Sequence, residues 1–253
     1  MLQETFCSGN SIFHRADPRI KIILLVLYIF AIVLNNSIIS VLILFVFSLI
    51  FVCLSKVSIW MVFKRLFVVN TFVLFLWFFL PFSTPGETVF TIYKLKASME
   101  GITEALLITI KANGAILAII TYVSTTTIPM IGHALYKLGV SQNLVLLFLL
   151  TYRYLDVIFD EFSRMYNAAI IRNFIPKTNI HTYKTISYMV AMVLIRAYER
   201  GKRIYEAMLL RGFNGKFSSL QQLKLTKNDL LISYLTLFSI VLSFVPQYIC
   251  YLR

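Results

Sequence analysis

Five apolar runs, each close to the length that crosses a bilayer, constrain this chain more than any other feature. Ile22 to Leu34 and Ile38 to Leu54 flank Asn35-Asn36-Ser37, a polar break that reads as a tight hairpin. Leu66 to Leu80 stops at Pro81, Ile102 to Val123 follows, and Leu230 to Leu252 comes last. About 20 mostly apolar residues span a hydrocarbon core as a helix, and a spanning segment must satisfy its own backbone polar groups. The expected fold is an all-α integral membrane protein with about five transmembrane helices. The first run is the shortest, so protein is expected to shield its end. Composition agrees, with 59% of residues hydrophobic and 14% charged, where soluble domains carry about a quarter charged.

One long basic interruption separates the fourth and fifth runs. Ser124 to Asn228 holds fourteen Lys and Arg against five Asp and Glu. The connection between the second and third runs carries Lys56, Lys64 and Arg65 with no acid, while the Pro81 to Gly101 loop balances Lys94 and Lys96 against Glu87 and Glu100. Excess Lys and Arg mark the cytoplasmic side. The N-terminus and the basic segment are therefore expected inside the cell membrane, and the Pro81 loop and the C-terminus outside, despite Arg253. This bias also accounts for the formal charge of +13. The charges are interleaved with acids, so no nucleic-acid partner is expected. The expected domains are 1–123, four spans with a cytoplasmic N-terminal segment; 124–228, a cytoplasmic domain; and 229–253, the last span. His14, Arg15, Asp17, Arg19 and Lys21 surround the start of the first apolar run and no small-residue cleavage site follows it, so no cleavable signal is expected.

The basic segment carries helical pattern. From Leu144 to Phe174, Tyr154, Ile158, Phe162, Met165 and Ala169 recur at helical spacing beside a polar stripe of Arg153, Asp156, Asp160, Arg164 and Asn167, and Pro176 marks the end. A second helix is expected from about Thr185 to Leu210. Its first half, Ile186 to Ile195, is apolar but too short to span; its second half sets Ala197, Gly201, Ile204, Tyr205 and Met208 along one side. Glu199 with Arg203, and Lys202 with Glu206, stand at i,i+4 spacing, worth a few tenths of a kcal/mol each. The two helices end alike, in Ile171-Arg172-Asn173-Phe174 and Leu210-Arg211-Gly212-Phe213. One arginine in a last turn merely complements the helix dipole. Two such ends on one side of a membrane point instead to a soluble partner with two acidic grooves. The planar guanidinium suits carboxylates, and the adjacent phenylalanine would fill a pocket as an anchor.

The chemistry of an enzyme is missing from the pattern. No Gly-rich phosphate loop precedes a Lys-Ser/Thr pair, and Gly201-Lys202 follows a helix rather than a strand. His14, His133 and His181 stand far apart, as do Cys7, Cys53 and Cys250, so no metal site, disulfide framework or cofactor is expected, and no catalytic residue is assigned. Two charges fall in the fourth run: Glu104 near its outer end and Lys111 deeper, facing the bundle or snorkelling. An enzyme acting on lipid-linked substrates, the rival reading, needs convergent carboxylates at the interface. Asp156, Asp160 and Glu161 are the only cluster, and they read better as a helix face with Arg164 as partner.

Three motifs carry a family resemblance: HRADPRIK at His14 to Lys21, LTYRYLDVIFDEFSRM at Leu150 to Met165 and RAYERGKRIYEAMLLRGFNG at Arg196 to Gly215. In combination, and over nearly the whole chain from Ser11, the sequence resembles the T component of energy-coupling factor transporters, most nearly the CbiQ branch associated with cobalt and nickel uptake. The resemblance implies a non-catalytic scaffold joining two ABC-type, CbiO-like ATPase subunits to a substrate-binding membrane subunit, CbiM-like or another S component. It further implies two cytoplasmic coupling helices, each ending in an Ala-Arg-Gly motif whose arginine docks in an ATPase groove. Here those motifs correspond to Ile171-Arg172-Asn173 and Leu210-Arg211-Gly212, each followed by Phe174 or Phe213. Leu210 for Ala stays apolar, and Asn173 for Gly also visits left-handed backbone. Arg164, Arg196, Arg200 and Glu199 are expected to support the pair. T components for biotin or another vitamin are the alternative.

Overall fold

Asp17 starts the membrane bundle. Its side chain accepts a hydrogen bond from the Arg19 N–H and Pro18 follows at the first helical position, a pairing that opens α1 (Pro18–Leu34). The computed structural model describes residues 11–14, 16–84, 88–92, 95–215 and 227–251. Cys7, Arg15, Glu87, Lys94, Leu252 and Arg253 lie outside the described residues, as do the side chains of Lys96 and Cys250. After α1 come α2 (Ile38–Ser55), α3 (Ile59–Ser83), the strands β1 (Thr88–Ile92) and β2 (Leu95–Ser98), α4 (Met99–Tyr122), α5 (Ile128–Lys137), α6 (Gln142–Ile171), α7 (Ile180–Leu210) and α8 (Lys227–Tyr251). The described residues divide into two compact units, one of 128–215 and the other of 11–127 with 227–251.

In the second of these units, α4 packs against α1, α2 and α3, while α8 packs against α1 and α2. An aromatic knot closes the core. Phe13, Phe51 and Tyr122 meet pairwise with ring centroids 5.6–6.2 Å apart, and Tyr28 donates its hydroxyl to the Leu44 carbonyl at 2.5 Å. Polar side chains join the helices elsewhere, where lipid offers them no partner. Asn113 Nδ2 donates to Asn70 Oδ1 at 2.9 Å, Trp77 Nε1 to Thr109 Oγ1 at 2.9 Å, and Asn35 Nδ2 to Ser243 Oγ at 3.3 Å. Lys111 sends Nζ to the Val33 carbonyl at 2.9 Å and Asn36 Oδ1 at 3.3 Å, so this intramembrane charge caps the end of α1.

The HRADPRIK motif ties three helices together. The Asp17 N–H donates to Asp229 Oδ1 at 2.7 Å, joining the starts of α1 and α8. Lys21, 2% exposed, sends Nζ to Thr126 Oγ1 at 2.9 Å and Thr125 Oγ1 at 3.3 Å, just past α4.

Several boundaries differ from the sequence expectation, each for a local reason. Helix α3 starts seven residues before Leu66 and runs through Pro81 to Ser83, because a proline in the last turn forfeits only one hydrogen bond and the Thr84 N–H still reaches the Leu80 carbonyl. The Pro81 to Gly101 loop contains an antiparallel hairpin, with Ile92 opposite Leu95. Five helices among the described residues are long and apolar enough to cross a membrane, but the set has changed. Helix α1, at 17 residues, is absent from it; α6 is present, because its first eleven residues, Gln142 to Tyr152, carry no charge. The result is an all-α membrane protein with one short hairpin.

Helix α4 begins against the end of α3. A Cβ at Gly101 would stand 2.3 Å from Thr84 Oγ1 and 2.8 Å from the Leu80 carbonyl oxygen and Pro81 Cα. The backbone atoms cannot swing aside as a flexible side chain would. Gly101→Ala is expected to cost about 1–3 kcal/mol, read as a lowered Tm of the purified protein in detergent; an unchanged Tm would mean that α3 and α4 are not held this close.

Candidate functional site

Helices α6 and α7, of 30 and 31 residues, are each about 45 Å long at 1.5 Å per residue. Asn179 opens α7 by accepting from the Thr182 N–H at 2.9 Å, which places its start at Ile180 rather than Thr185. The functional interest lies at their C-terminal ends.

Both ends close in the same hydrogen-bond pattern. The Phe174 N–H reaches back to the Ala169 carbonyl and the Asn173 N–H to Ile170; the Phe213 N–H reaches Met208 and the Gly212 N–H Leu209, all at 2.9–3.0 Å. This is the Schellman closure, which requires a left-handed residue after the cap. Asn173 (φ 66°) and Gly212 (φ 81°) supply it. Asparagine tolerates that region better than most residues, so the first tip keeps its form without glycine. Arg172 and Arg211 stand at the same position in the two motifs, and both are exposed. Among the described residues, neither guanidinium makes a salt bridge.

The two apolar members of each tip differ in exposure. Phe174 and Phe213 are half-buried. Phe174 turns back onto Tyr166, with ring centroids 6.5 Å apart, and Phe213 lines the groove between α6 and α7 beside Tyr205 and Met208. The closure itself causes this, since the residue after the left-handed position folds back over the last turn. Ile171 and Leu210 project instead, 85% and 91% exposed. A protruding aliphatic residue next to a protruding arginine, presented twice, is the shared surface.

The tips are sensitive to backbone handedness. Gly212→Val puts a β-branched residue at positive φ, at an expected local cost of about 1–2 kcal/mol, whereas Asn173→Gly fits the geometry already present. A transport assay should show Gly212→Val impaired and Asn173→Gly near wild type; equal behaviour of the two would sever tip shape from function.

A charge cluster joins α6 to α7. Glu161 of α6 accepts from Arg196 Nη1 at 2.6 Å and Arg200 Nη2 at 2.9 Å, both on α7, while Arg164 Nη2 stands 3.8 Å away. The Arg196 hydrogen bond, reinforced by the charges of Arg196, Arg164 and Arg200, holds the Glu161 carboxyl below the usual carboxylate range against an opposing effect of desolvation. Glu161 lies in the second half of α6, past the uncharged stretch Gln142 to Tyr152. Of the residues expected to support the pair, Arg164, Arg196 and Arg200 meet here and Glu199 does not; its side chain is exposed and the central carboxylate is Glu161. The i,i+4 pair Lys202–Glu206 forms at 4.0 Å on the surface, and no Glu199–Arg203 bridge is found among the described residues. The signal that marked Glu161 in the sequence was its place in the acid-rich stretch after Asp156 and Asp160, which gave no hint of partners 35 and 39 residues away.

Asp156, Asp160 and Glu161 all stand on α6, and Glu161 is paired with arginines of α7. The groove between α6 and α7, about 410 Å³, has mainly apolar walls that include Leu150, Tyr154 and Ile204. Among the described residues, no group of three or more His, Cys, Asp or Glu is placed to hold a metal ion.

The sequence matches the family profile described as CbiQ, cobalt transport protein, over residues 9–223. The energy-coupling factor transporter transmembrane protein EcfT of Streptococcus equi subsp. equi is 28% identical, across 83% of this chain and 82% of that protein. EcfT of Brevibacillus brevis is 25% identical, across 87% of this chain and 88% of its own length. An uncharacterised protein of Methanocaldococcus jannaschii is 26% identical, across 95% and 83%. With that profile matched along most of its length, the chain belongs to the CbiQ family and is a transmembrane component of energy-coupling factor type.

Proposed function

We propose that this chain is the non-catalytic coupling subunit of an importer in the cell membrane, passing ATP-driven motion of two ABC ATPase subunits to a substrate-binding membrane subunit. The observation that carries the reading is the repetition of one tip: two arginines on the same closure, each beside an exposed aliphatic residue. Two equivalent grooves on a pair of ATPases would require such a repeat, and a single-site partner would not. In this reading Arg172 and Arg211 each enter one ATPase, Ile171 and Leu210 fill apolar contacts beside them, and Glu161 keeps α6 and α7 at the angle that spaces the tips. Residues 124–228 form the coupling domain on the cytoplasmic side, a reading supported by their excess of Lys and Arg. Residues 1–123 and 229–253 form the membrane domain, with the N-terminus inside. The partners are ATPases of CbiO type and a CbiM-like subunit, with cobalt or nickel as cargo; a biotin- or other vitamin-specific S component is the alternative.

Co-expression with an ATPase pair and a CbiM-like subunit tests this. The expected result is a stoichiometric complex and ATP-dependent uptake of labelled cobalt or nickel. Failure of the folded chain to hold ATPases would overturn the coupling role, and uptake of a labelled vitamin instead would move the cargo assignment alone.

A further inference from the structure

A second groove, of about 610 Å³, opens between α3 and α4 in the membrane bundle. Val68 and Val69 of α3 and Ile116, Ile119 and Ile120 of α4 form its walls. Lys64 and Arg65 line one end, together with Trp60, which is 75% exposed. Arg65 Nη1 donates to Ser124 Oγ at 2.8 Å, and Ser124 lies just past the last residue of α4. The cations therefore sit at the level where the span ends, and the isoleucines lie one to two turns deeper. No acidic residue lines this groove among the described residues, and none lies in the sequence from Lys56 to Arg65.

We infer that this groove binds an anionic phospholipid, with its phosphate at Lys64 and Arg65 and an acyl chain along Val68, Ile116 and Ile119. Each part of the site matches one part of that molecule. An apolar trough in a lipid-facing wall accepts a hydrocarbon chain. A pair of cations at the polar boundary favours a phosphate carrying net negative charge over a zwitterionic headgroup, whose own cation they repel. Tryptophan belongs at headgroup depth, where its ring is apolar and its N–H meets polar partners. Lysine and arginine can also lay their aliphatic stems along the groove while their charged ends reach the interface. A site built this way would anchor the start of α3, the least buried of the candidate spans apart from α6, through a ligand rather than through protein.

The test is native mass spectrometry of the full chain in mild detergent, titrated with phosphatidylglycerol or with phosphatidylcholine of the same acyl chains. Wild type should retain phosphatidylglycerol preferentially. Lys64→Gln with Arg65→Gln should weaken that binding about 25-fold, roughly fivefold for each surface cation removed. Ile119→Trp, which fills the trough and keeps both charges, should weaken it as well; Lys202→Gln with Arg203→Gln, which removes two cations from α7, should not. The inference is overturned by equal retention of the two lipids, by wild-type binding in the Lys64/Arg65 variant, or by equal loss in the α7 control. Competition by glycerol phosphate as strong as by the whole lipid would show a bare phosphate site. Loss of the lipid when a substrate-binding subunit is added would show that protein covers this face. Either result also removes the proposal.

Discussion

Replacing both Arg172 and Arg211 with alanine should reduce uptake to background and release the ATPases from the purified complex, while the Tm of the isolated chain stays within error of wild type. The structural basis is that both side chains are exposed and, among the described residues, carry no salt bridge, so removing them costs the fold little. In a partner groove the balance reverses. A charge-assisted hydrogen bond contributes about 1.5–3 kcal/mol, so each single variant should weaken ATPase binding by roughly 10- to 100-fold, and the pair more than either. Arg→Lys at both positions should fall between, since lysine keeps the charge but loses the planar fork. Ile171→Ser and Leu210→Ser probe the apolar half of each tip; full burial of such a side chain is worth about 1.5–3 kcal/mol. Pull-down of the ATPases and uptake in the same cells are the readouts. A double arginine variant that assembled and transported normally would end the docking assignment.

Glu161→Ala should give a different failure, in which ATPases remain bound but uptake collapses. The substitution leaves Arg164, Arg196 and Arg200 facing one another without the carboxylate that joins them, so the crossing of α6 and α7 loosens while both tips stay chemically intact. Glu161→Gln should be milder, since its amide oxygen still accepts one hydrogen bond. Exchanging charges, as Glu161→Arg with Arg200→Glu, should recover part of the loss if the link between the helices matters rather than either residue alone. The pH dependence has a definite sign. The Glu161 carboxyl is held below its ordinary range, so the cluster is fully formed above the usual carboxylate pKa and is lost only as pH falls through the depressed value. Uptake between pH 6 and 8 should therefore show no step that depends on Glu161. If Glu161→Ala instead shed the ATPases as fully as the double arginine variant, the cluster would be part of docking and not of coupling.

The local form of the two helix ends is legible in the amino-acid sequence, and particular residues show where legibility stops. Arg172 and Arg211 stood out because a helix end is a local object: a few consecutive residues and the handedness of one of them decide it. For Phe174 and Phe213 the sequence gives neighbours but not direction; the same closure that exposes the arginines turns these rings back over the last turn. Sequence alone puts Glu161 on a helix face, because nothing in a linear pattern shows that Arg196 and Arg200 of another helix reach it. For Lys111 the sequence leaves bundle-facing and snorkelling orientations open, and the fold seats its Nζ on the Val33 carbonyl.

The division follows the range of the interactions. Membrane residence, helical class and the two arginine-tipped ends came from the amino-acid order, because lipid demands apolar runs of set length and helix closure is local chemistry. The crossing at Glu161, the seat of Lys21 on Thr125 and Thr126, and the cationic groove beside Ile119 came from packing. Each joins residues 35 to 105 positions apart or lies between two helices, and such pairings exist only once helix faces and crossing points are set in three dimensions.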